Sequence, residues 1–453
     1  MPVIRWTIAI ALAAHGIAHA VGFAVSWRLI ESVEAPYHTT LLNRRLDIGG
    51  SGIRVVGVLW VVAGLGFVAS GLLLAAGRDK ALMVLAATTL MSLALCALEW
   101  PFARIGLAID AVILVALPAL GLWLWRGDSQ IAMRSLEASA GRQRPPVVEQ
   151  THDLPLPVRR YFSRVLAADQ RAITFAALDQ EAEFYVGGAW RPLRATQSFS
   201  VAPAGFVWDA RIYVLPLMPV LVRDSYINGR GSMRANFLGA YPMVHADGSS
   251  ELDSGALHRY LAEAVWIPTA LLPSAGVRWS AVGDDAAIAT LRDDRSTVSM
   301  EFRFNRDGDV AELFTPARFA ENHGRYEPRP WLVRCFDYES HAGMRIPARC
   351  EVEWQLATGS VPYWRGRITA ARYRFADVIP APALPAGGVA HDVPERNHTE
   401  RNAEQPGNHV TQCSTSPGVR AKIQPRHAAR FNARVLSRRA DARPDAAVPR
   451  DRR

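Results

Sequence analysis

The chain has 453 residues, 50% of them hydrophobic, and a formal net charge of +9. That length exceeds one ordinary domain, and the apolar residues are spread unevenly enough to require separate regions. The basic balance does not mark a nucleic-acid protein: 13 Lys or Arg against 7 Asp or Glu follow Ala381, so most of the excess sits in a terminal segment with no folded recognition module.

The first 126 residues are the most apolar. No Asp, Glu, Lys or Arg occurs between Arg5 and Arg28, between Arg54 and Arg78, or between Lys80 and Glu99, and only Asp110 interrupts the stretch from Arg104 to Arg126. A helix rises about 1.5 Å per residue and the hydrocarbon core is about 30 Å thick, so roughly 20 apolar residues cross it. A cleaved signal peptide explains the first stretch but not three more. A bundle of four transmembrane helices is therefore expected over residues 1–126, in a multi-pass protein of the cell membrane. Trp27, Trp100, Trp123 and Trp125 lie near the expected ends, where amphipathic rings favour the headgroup region. An even number of spans puts the N-terminus, the turn Arg78-Asp79-Lys80 and everything after residue 126 on one face. Lys and Arg are balanced between the two faces, which leaves the side of the membrane open.

Three ionisable residues fall inside the spans. His15 and His19 are four apart and share a helical face, a spacing that serves haem or metal ligation, proton transfer, or hydrogen bonding between helices beside Gly16 and Gly22. Hydrogen bonding is the simpler account. Asp110 is the third, and an interior pair with a histidine satisfies both groups.

Residues 127–146 turn polar and end in Pro145-Pro146, as a linker does. An α+β domain follows over 147–380: a short amphipathic helix across Leu156 to Leu166, then strands to about Phe375. Phe206, Trp208, Ala210 and Ile212 alternate with other residues, as do Val298, Met300, Phe302 and Phe304, and Cys350, Val352 and Trp354. A helix capped by Asp253 or Ser254 interrupts them from about Gly255 to Trp266 and stops at Pro268. This order predicts a curved antiparallel sheet over an interposed helix, or else a flatter sandwich. Cys335 and Cys350 flank a hairpin turn at His341-Ala342-Gly343 and are a candidate cross-strand disulfide or two buried thiols. Neither has a His at metal-ligand spacing, and Cys96 and Cys413 lie in a span and in the tail, so no metal and no cofactor is expected. Residues 381–453, rich in Arg, Ala and Pro, read as a disordered tail that adheres to anionic surfaces without specificity.

Several segments resemble an uncharacterised bacterial membrane-protein family with a C-terminal domain of unknown function. They are Ala14-His-Gly-Ile-Ala-His-Ala-Val-Gly-Phe23, Glu99-Trp-Pro-Phe-Ala-Arg-Ile-Gly106, Phe206-Val-Trp-Asp-Ala-Arg211, Arg223-Asp-Ser-Tyr-Ile-Asn-Gly-Arg-Gly231, Ala262-Glu-Ala-Val-Trp-Ile-Pro268, and the hairpin from Gly343 to Trp354. The resemblance covers roughly residues 5 to 376 and implies the architecture without an activity. The strand, helix, strand order is also loosely similar to lipoprotein-carrier folds, whose curved sheet holds acyl chains.

Read from the residues, Trp208, Trp279, Phe302, Trp331, Trp354 and Tyr363-Trp364 lie on inward strand faces, where they line an apolar pocket or simply fill the core. Trp208, Asp209, Arg211, Tyr226, Glu263, Trp266 and Trp354 are the candidate ligand-binding residues. The expected partners are membrane lipids and a hydrophobic small molecule, with no specific nucleic acid; the oligomeric state is left open. Two alternatives stand beside lipid binding: a haem- or quinone-linked membrane subunit using His15 and His19, and a hydrolase drawing on Asp209, Asp224, Glu251, Asp253 or Glu263. No nucleophile elbow is present and Gly229-Arg-Gly231 lacks the third glycine of a nucleotide loop, so a non-enzyme is favoured.

Overall fold

The computed structural model describes residues 2–31, 36–100, 102–140 and 151–377. The end of the expected linker (141–146), the expected tail (381–453) and Cys413 lie outside the described residues.

Helices α1 (Pro2–Ala18) and α2 (Ala20–Ser26) form one apolar stretch that breaks at His19. A two-strand hairpin, β1 (Thr40–Leu41) and β2 (Leu46–Asp47), precedes α3 (Gly49–Ala75), α4 (Ala81–Leu98) and α5 (Arg104–Ala140). Among the described residues, 4 helical stretches are long and apolar enough to cross a membrane: Val3–Ser26, Gly49–Ala75, Ala81–Leu98 and Arg104–Ala140. Their outward positions carry Ile10, Ile17, Leu65, Leu72, Val112 and Val115, all exposed. The helices approach closely through their backbones. A Cβ on Gly16 would stand 2.5 Å from the Gly64 carbonyl oxygen, and one on Gly64 would stand 2.6 Å from that of Gly16. Only two glycines allow α1 and α3 to cross so closely.

The last of these helices differs from expectation. α5 has 37 residues and runs straight through 127–140, where the sequence reads as linker. At about 1.5 Å per residue it is roughly 55 Å long, far more than one crossing needs. Its second half is held by packing: Gly127, Ser129, Leu136 and Ser139 are buried against strands that follow.

After α6 (Leu156–Val165), the chain forms β3 (Ile173–Val186), β4 (Ala189–Ser200), β5 (Gly205–Leu215), β6 (Met218–Ile227), β7 (Arg230–Phe237) and β8 (Tyr241–Asp247). Helix α7 (Ser250–Glu263) and three short 3-10 turns lead to β9 (Val277–Ala281), β10 (Ala286–Asp293), β11 (Ser296–Phe304), β12 (Val310–Asn322), β13 (Arg325–His341), β14 (Met344–Leu356) and β15 (Gly359–Phe375). These make one curled 13-stranded antiparallel sheet, ordered β8-β7-β6-β5-β4-β3-β15-β14-β13-β12-β11-β10-β9. Two meanders thus join where β3 pairs with β15. Their far edges, β8 and β9, are linked by α7, which crosses the inner face and packs on β7, β11 and β12. A curled sheet, not a flatter sandwich, results, because one helix has to fill the hollow of the inner face.

The cap of α7 also departs from the sequence reading. Ser249 is the N-cap and accepts a hydrogen bond from the Leu252 amide at 3.1 Å, so the helix starts a turn earlier than expected. Asp253 instead accepts from the Gly231 amide at 2.6 Å and ties α7 to β7. Helix α6 buries Val158, Tyr161, Phe162 and Val165 in the same core.

Candidate functional site

Strand alternation sorts the sheet into two faces with different tasks. Trp208 on β5 and Asp224 on β6 are register partners facing inward; their neighbours Asp209 and Arg223 are also partners and face outward. The outward pair receives α5. Trp125 Nε1 donates to Asp209 Oδ1 at 3.1 Å, Ser129 Oγ donates to Asp209 Oδ2, and Arg223 bonds Asp209 at 3.2 Å and the Trp125 carbonyl at 3.0 Å. The Arg223 guanidinium lies 4.5 Å from the Trp125 ring centroid. Gly121 and Gly239 meet backbone to backbone beside this cluster, where any Cβ would collide. Asp79, in the turn between α3 and α4, pairs with His245 and Arg234, and Arg5 pairs with Asp128 at 3.0 Å. The N-terminal arginine and that turn therefore lie at the end of the bundle that meets the sheet, as an even number of spans requires.

The inward face forms a cavity under α7 with a solvent-accessible volume of about 170 Å³. Its aromatic wall is Trp208, Trp266, Trp331, Trp354, Tyr363 and Trp364, with half-buried Phe184 and Tyr185 also lining it. Trp331 and Trp354 face each other across β13 and β14, and Trp354 stacks on Tyr363 at 5.9 Å between centroids. The Trp331 Nε1 donates to the Tyr363 hydroxyl at 2.9 Å, which leaves ring faces rather than polar edges toward the space.

Polar groups in the wall fall into a satisfied set and an exception. Arg259 donates to Glu263 at 2.8 Å and to Asp224 at 2.7 Å while its guanidinium lies over Phe206 and Trp208. Behind it, Trp208 donates to Gln180, Gln180 to Gln197, and Gln197 to Glu263 at 2.6 Å. Burial raises the pKa of Glu263 against the pull of Arg259 and Gln197. Arg318 is the exception. Its Nε donates to the Gly255 carbonyl at 3.1 Å and its guanidinium stacks over Trp331 and Trp354, but it makes no ion pair among the described residues. The register of β12 shifts between Thr315 and Arg318, a bulge that redirects side chains beside the cavity.

Of the seven candidate ligand residues, Trp208, Glu263, Trp266 and Trp354 line this cavity. Asp209 faces α5 instead, Arg211 follows Asp209 on the outward alternation, and Tyr226 is fully buried beside Asp293, away from the space. Motif proximity selected these three, whereas period two separates them from their neighbours. Trp279 and Phe302 pack against each other in the core with Phe162. Arg259 and Arg318, which the sequence does not single out, complete the site; an arginine on one element that meets an aromatic on another leaves no local pattern. Cys335 and Cys350 are register partners with sulfurs 3.8 Å apart, and both are buried free thiols.

His15, His19 and Asp110, from the apolar helices, converge. His15 Nε2 lies 3.0 Å from Asp110 Oδ1, His19 Nε2 lies 2.7 Å from Ser92 Oγ, and Ser92 donates to Asp110 Oδ2 at 2.6 Å. Asp110 is fully buried. A second cavity of about 270 Å³ adjoins them, lined by His15, His19, His38, Trp60, Cys96 and Glu99 among others. His15 on α1 and His19 at the break before α2 have ring centroids 4.8 Å apart, edge to face, so they do not bracket a haem plane.

No curated protein matches the chain. Among solved structures it is similar to a domain assigned to an outer membrane lipoprotein-sorting protein from Vibrio parahaemolyticus (8% identity, 44% of this chain and 85% of that chain, TM-score 0.28). It is similar also to a DUF1329 family protein from Desulfovibrio piger (10%, 48% and 90%, 0.26) and to a LolA superfamily protein from Nitrosomonas europaea (10%, 49% and 93%, 0.27). A model of the family of unknown function DUF6920 matches residues 152–373, which takes in most of the sheet region.

Proposed function

We propose that the chain is a multi-pass membrane protein whose sheet domain binds a hydrophobic ligand with an anionic head in the cavity under α7. The observation that carries this reading is Arg318: a guanidinium flanked by Trp331 and Trp354 with no ion pair among the described residues, set in a wall of aromatic rings. The rings offer apolar surface to a chain, and the planar guanidinium offers paired donors to a carboxylate or phosphate. Arg259 does not compete for the head, because Asp224 and Glu263 already hold it. The four apolar helices keep the domain beside lipid, which raises the local concentration of such molecules.

The test is native mass spectrometry and lipid extraction of the full chain purified gently from membranes. A co-purifying anionic amphiphile, displaced when Val352→Trp fills the cavity, is the expected result. A clean apo mass together with no binding of added fatty acid or phospholipid rejects the reading.

A further inference from the structure

His15, His19, Ser92, Cys96 and Asp110 meet inside the bundle. His19 Nδ1 stands 2.9 Å from the His15 carbonyl oxygen, which only accepts, so Nδ1 carries a proton and Nε2 is the atom whose lone pair can serve an ion. That lone pair faces Ser92 Oγ at 2.7 Å, while the same hydroxyl donates to Asp110 at 2.6 Å. The other carboxylate oxygen faces His15 Nε2 at 3.0 Å.

We propose that His15, His19 and Asp110 bind a zinc-like divalent transition-metal ion, with Cys96 as the fourth donor. The imidazole nitrogens and a carboxylate oxygen all lie within 4.8 Å of one another, and the Cys96 sulfur is 3.6 Å from Asp110 Oδ2. Bonds of about 2.0–2.3 Å set donor atoms roughly 3–4 Å apart around a tetrahedral ion, so the three donors draw together by about an ångström, and the Cys96 side chain, which stands outside that group, has to turn toward the ion. The donor set also balances charge. Two neutral imidazoles, one carboxylate and one thiolate neutralise a divalent ion completely, with the thiol proton released on binding. A neutral site is what a low-dielectric bundle tolerates.

The surroundings supply what such a site needs beyond its donors. The His15 carbonyl orients His19, Ser92 holds Asp110, and Phe67 and Trp60 pack edge-on against the imidazoles. His15, His19 and Cys96 line the second cavity, whose wall also includes His38 and Glu99, 2.9 Å apart, and these offer an ion a polar approach. Bound there, the ion ties α1 to α4 and α5.

The experiment uses the full chain in detergent, purified without chelators. Elemental analysis is expected to find about one zinc per chain, and Co²⁺ in its place is expected to give visible ligand-field bands with a near-ultraviolet sulfur-to-cobalt band. Cys96→Ser removes the sulfur band and keeps the visible ones. His19→Gln and Asp110→Asn weaken binding by about tenfold or more. A wild-type chain with neither stoichiometric metal nor Co²⁺ bands overturns the proposal, and so does binding that survives both ligand substitutions. Should those variants fail to insert, the Co²⁺ titration of the wild type decides alone.

Discussion

Arg318 and His258 sit close together and carry opposite consequences. The guanidinium of Arg318 is held between rings at 4.6 and 5.4 Å and turned toward the cavity space, where a charge-assisted bond to a ligand head contributes about 1.5–3 kcal/mol. Arg318→Gln is therefore expected to weaken binding of an anionic amphiphile by about tenfold or more and to leave a neutral analogue of the same chain length nearly unaffected; equal losses for both would remove Arg318 from head recognition. His258, buried on α7, donates from Nδ1 to the Ser254 carbonyl at 3.0 Å, and its Nε2 faces the Thr315 hydroxyl at 3.4 Å. Burial pushes its pKa down to about 4, with Arg318 adding to the effect and the Ser254 carbonyl opposing it. The unfolded ring titrates near its ordinary value of about 6.5 and takes up a proton that the folded ring refuses. Stability is then full above about pH 6.5 and falls as the pH drops toward about 4, by about 3 kcal/mol in all. Thermal melts of the detergent-solubilised chain across that window check it, and His258→Gln should flatten the profile.

At the level of elements, α5 matters most, because one helix serves both the bundle and the sheet. Its grip on the outer face depends on Arg223 and Asp209, whose side chains are 7% and 16% exposed. Removing one member of such a pair leaves the other charge buried alone, which costs about 3–5 kcal/mol. Arg223→Ala should lower the midpoint of thermal unfolding by on the order of 10 °C, read by fluorescence of the tryptophans. Gly121→Val should separate α5 from the Gly239 turn without touching the cavity, so ligand binding is retained while the melt broadens or splits. Hairpin β13–β14 carries a different consequence. Cys335 and Cys350 oppose each other in register but are 7% and 3% exposed, so native alkylation should leave both thiols unmodified, and mild oxidation should close an intramolecular bond seen as a loss of about 2 Da. Much of this level was legible. The four apolar stretches, the short helix at Leu156 and the end of the strands near Phe375 follow from charge spacing and period two. The continuation of α5 past residue 126 did not, since polar residues at 127–140 look the same on a linker and on a helix whose buried face is supplied by another element.

Taken as one molecule, bundle and sheet share a buried junction, which changes what a fragment will do. A soluble piece beginning at residue 151 exposes the Arg223–Asp209 pair and the Gly239 seat of α5. A fragment starting near residue 120, which keeps the second half of α5, is expected to melt higher by about 5 °C or more. Equal melting of the two would mean that α5 contributes nothing to the fold of the sheet. The joining of β3 to β15 has a similar meaning: strands nearly the length of the domain apart in sequence sit side by side, so the hollow that holds the cavity forms only when both meanders are complete.

The sequence alone determined what depends on local periodicity and on charge spacing: four apolar stretches, an α+β region of antiparallel strands with one interposed helix, and the isolation of His15, His19 and Asp110 as polar exceptions. Tertiary structure decided which chemistry those residues join. Trp208 and Asp209 are adjacent in the chain and face opposite ways, one to the cavity and one to α5, because a strand turns successive side chains to opposite faces. Ser92 and Cys96 join the histidines only because α4 packs against α5 and places them on Asp110. Such convergence depends on helix packing across about 100 residues of chain, for which no local pattern exists.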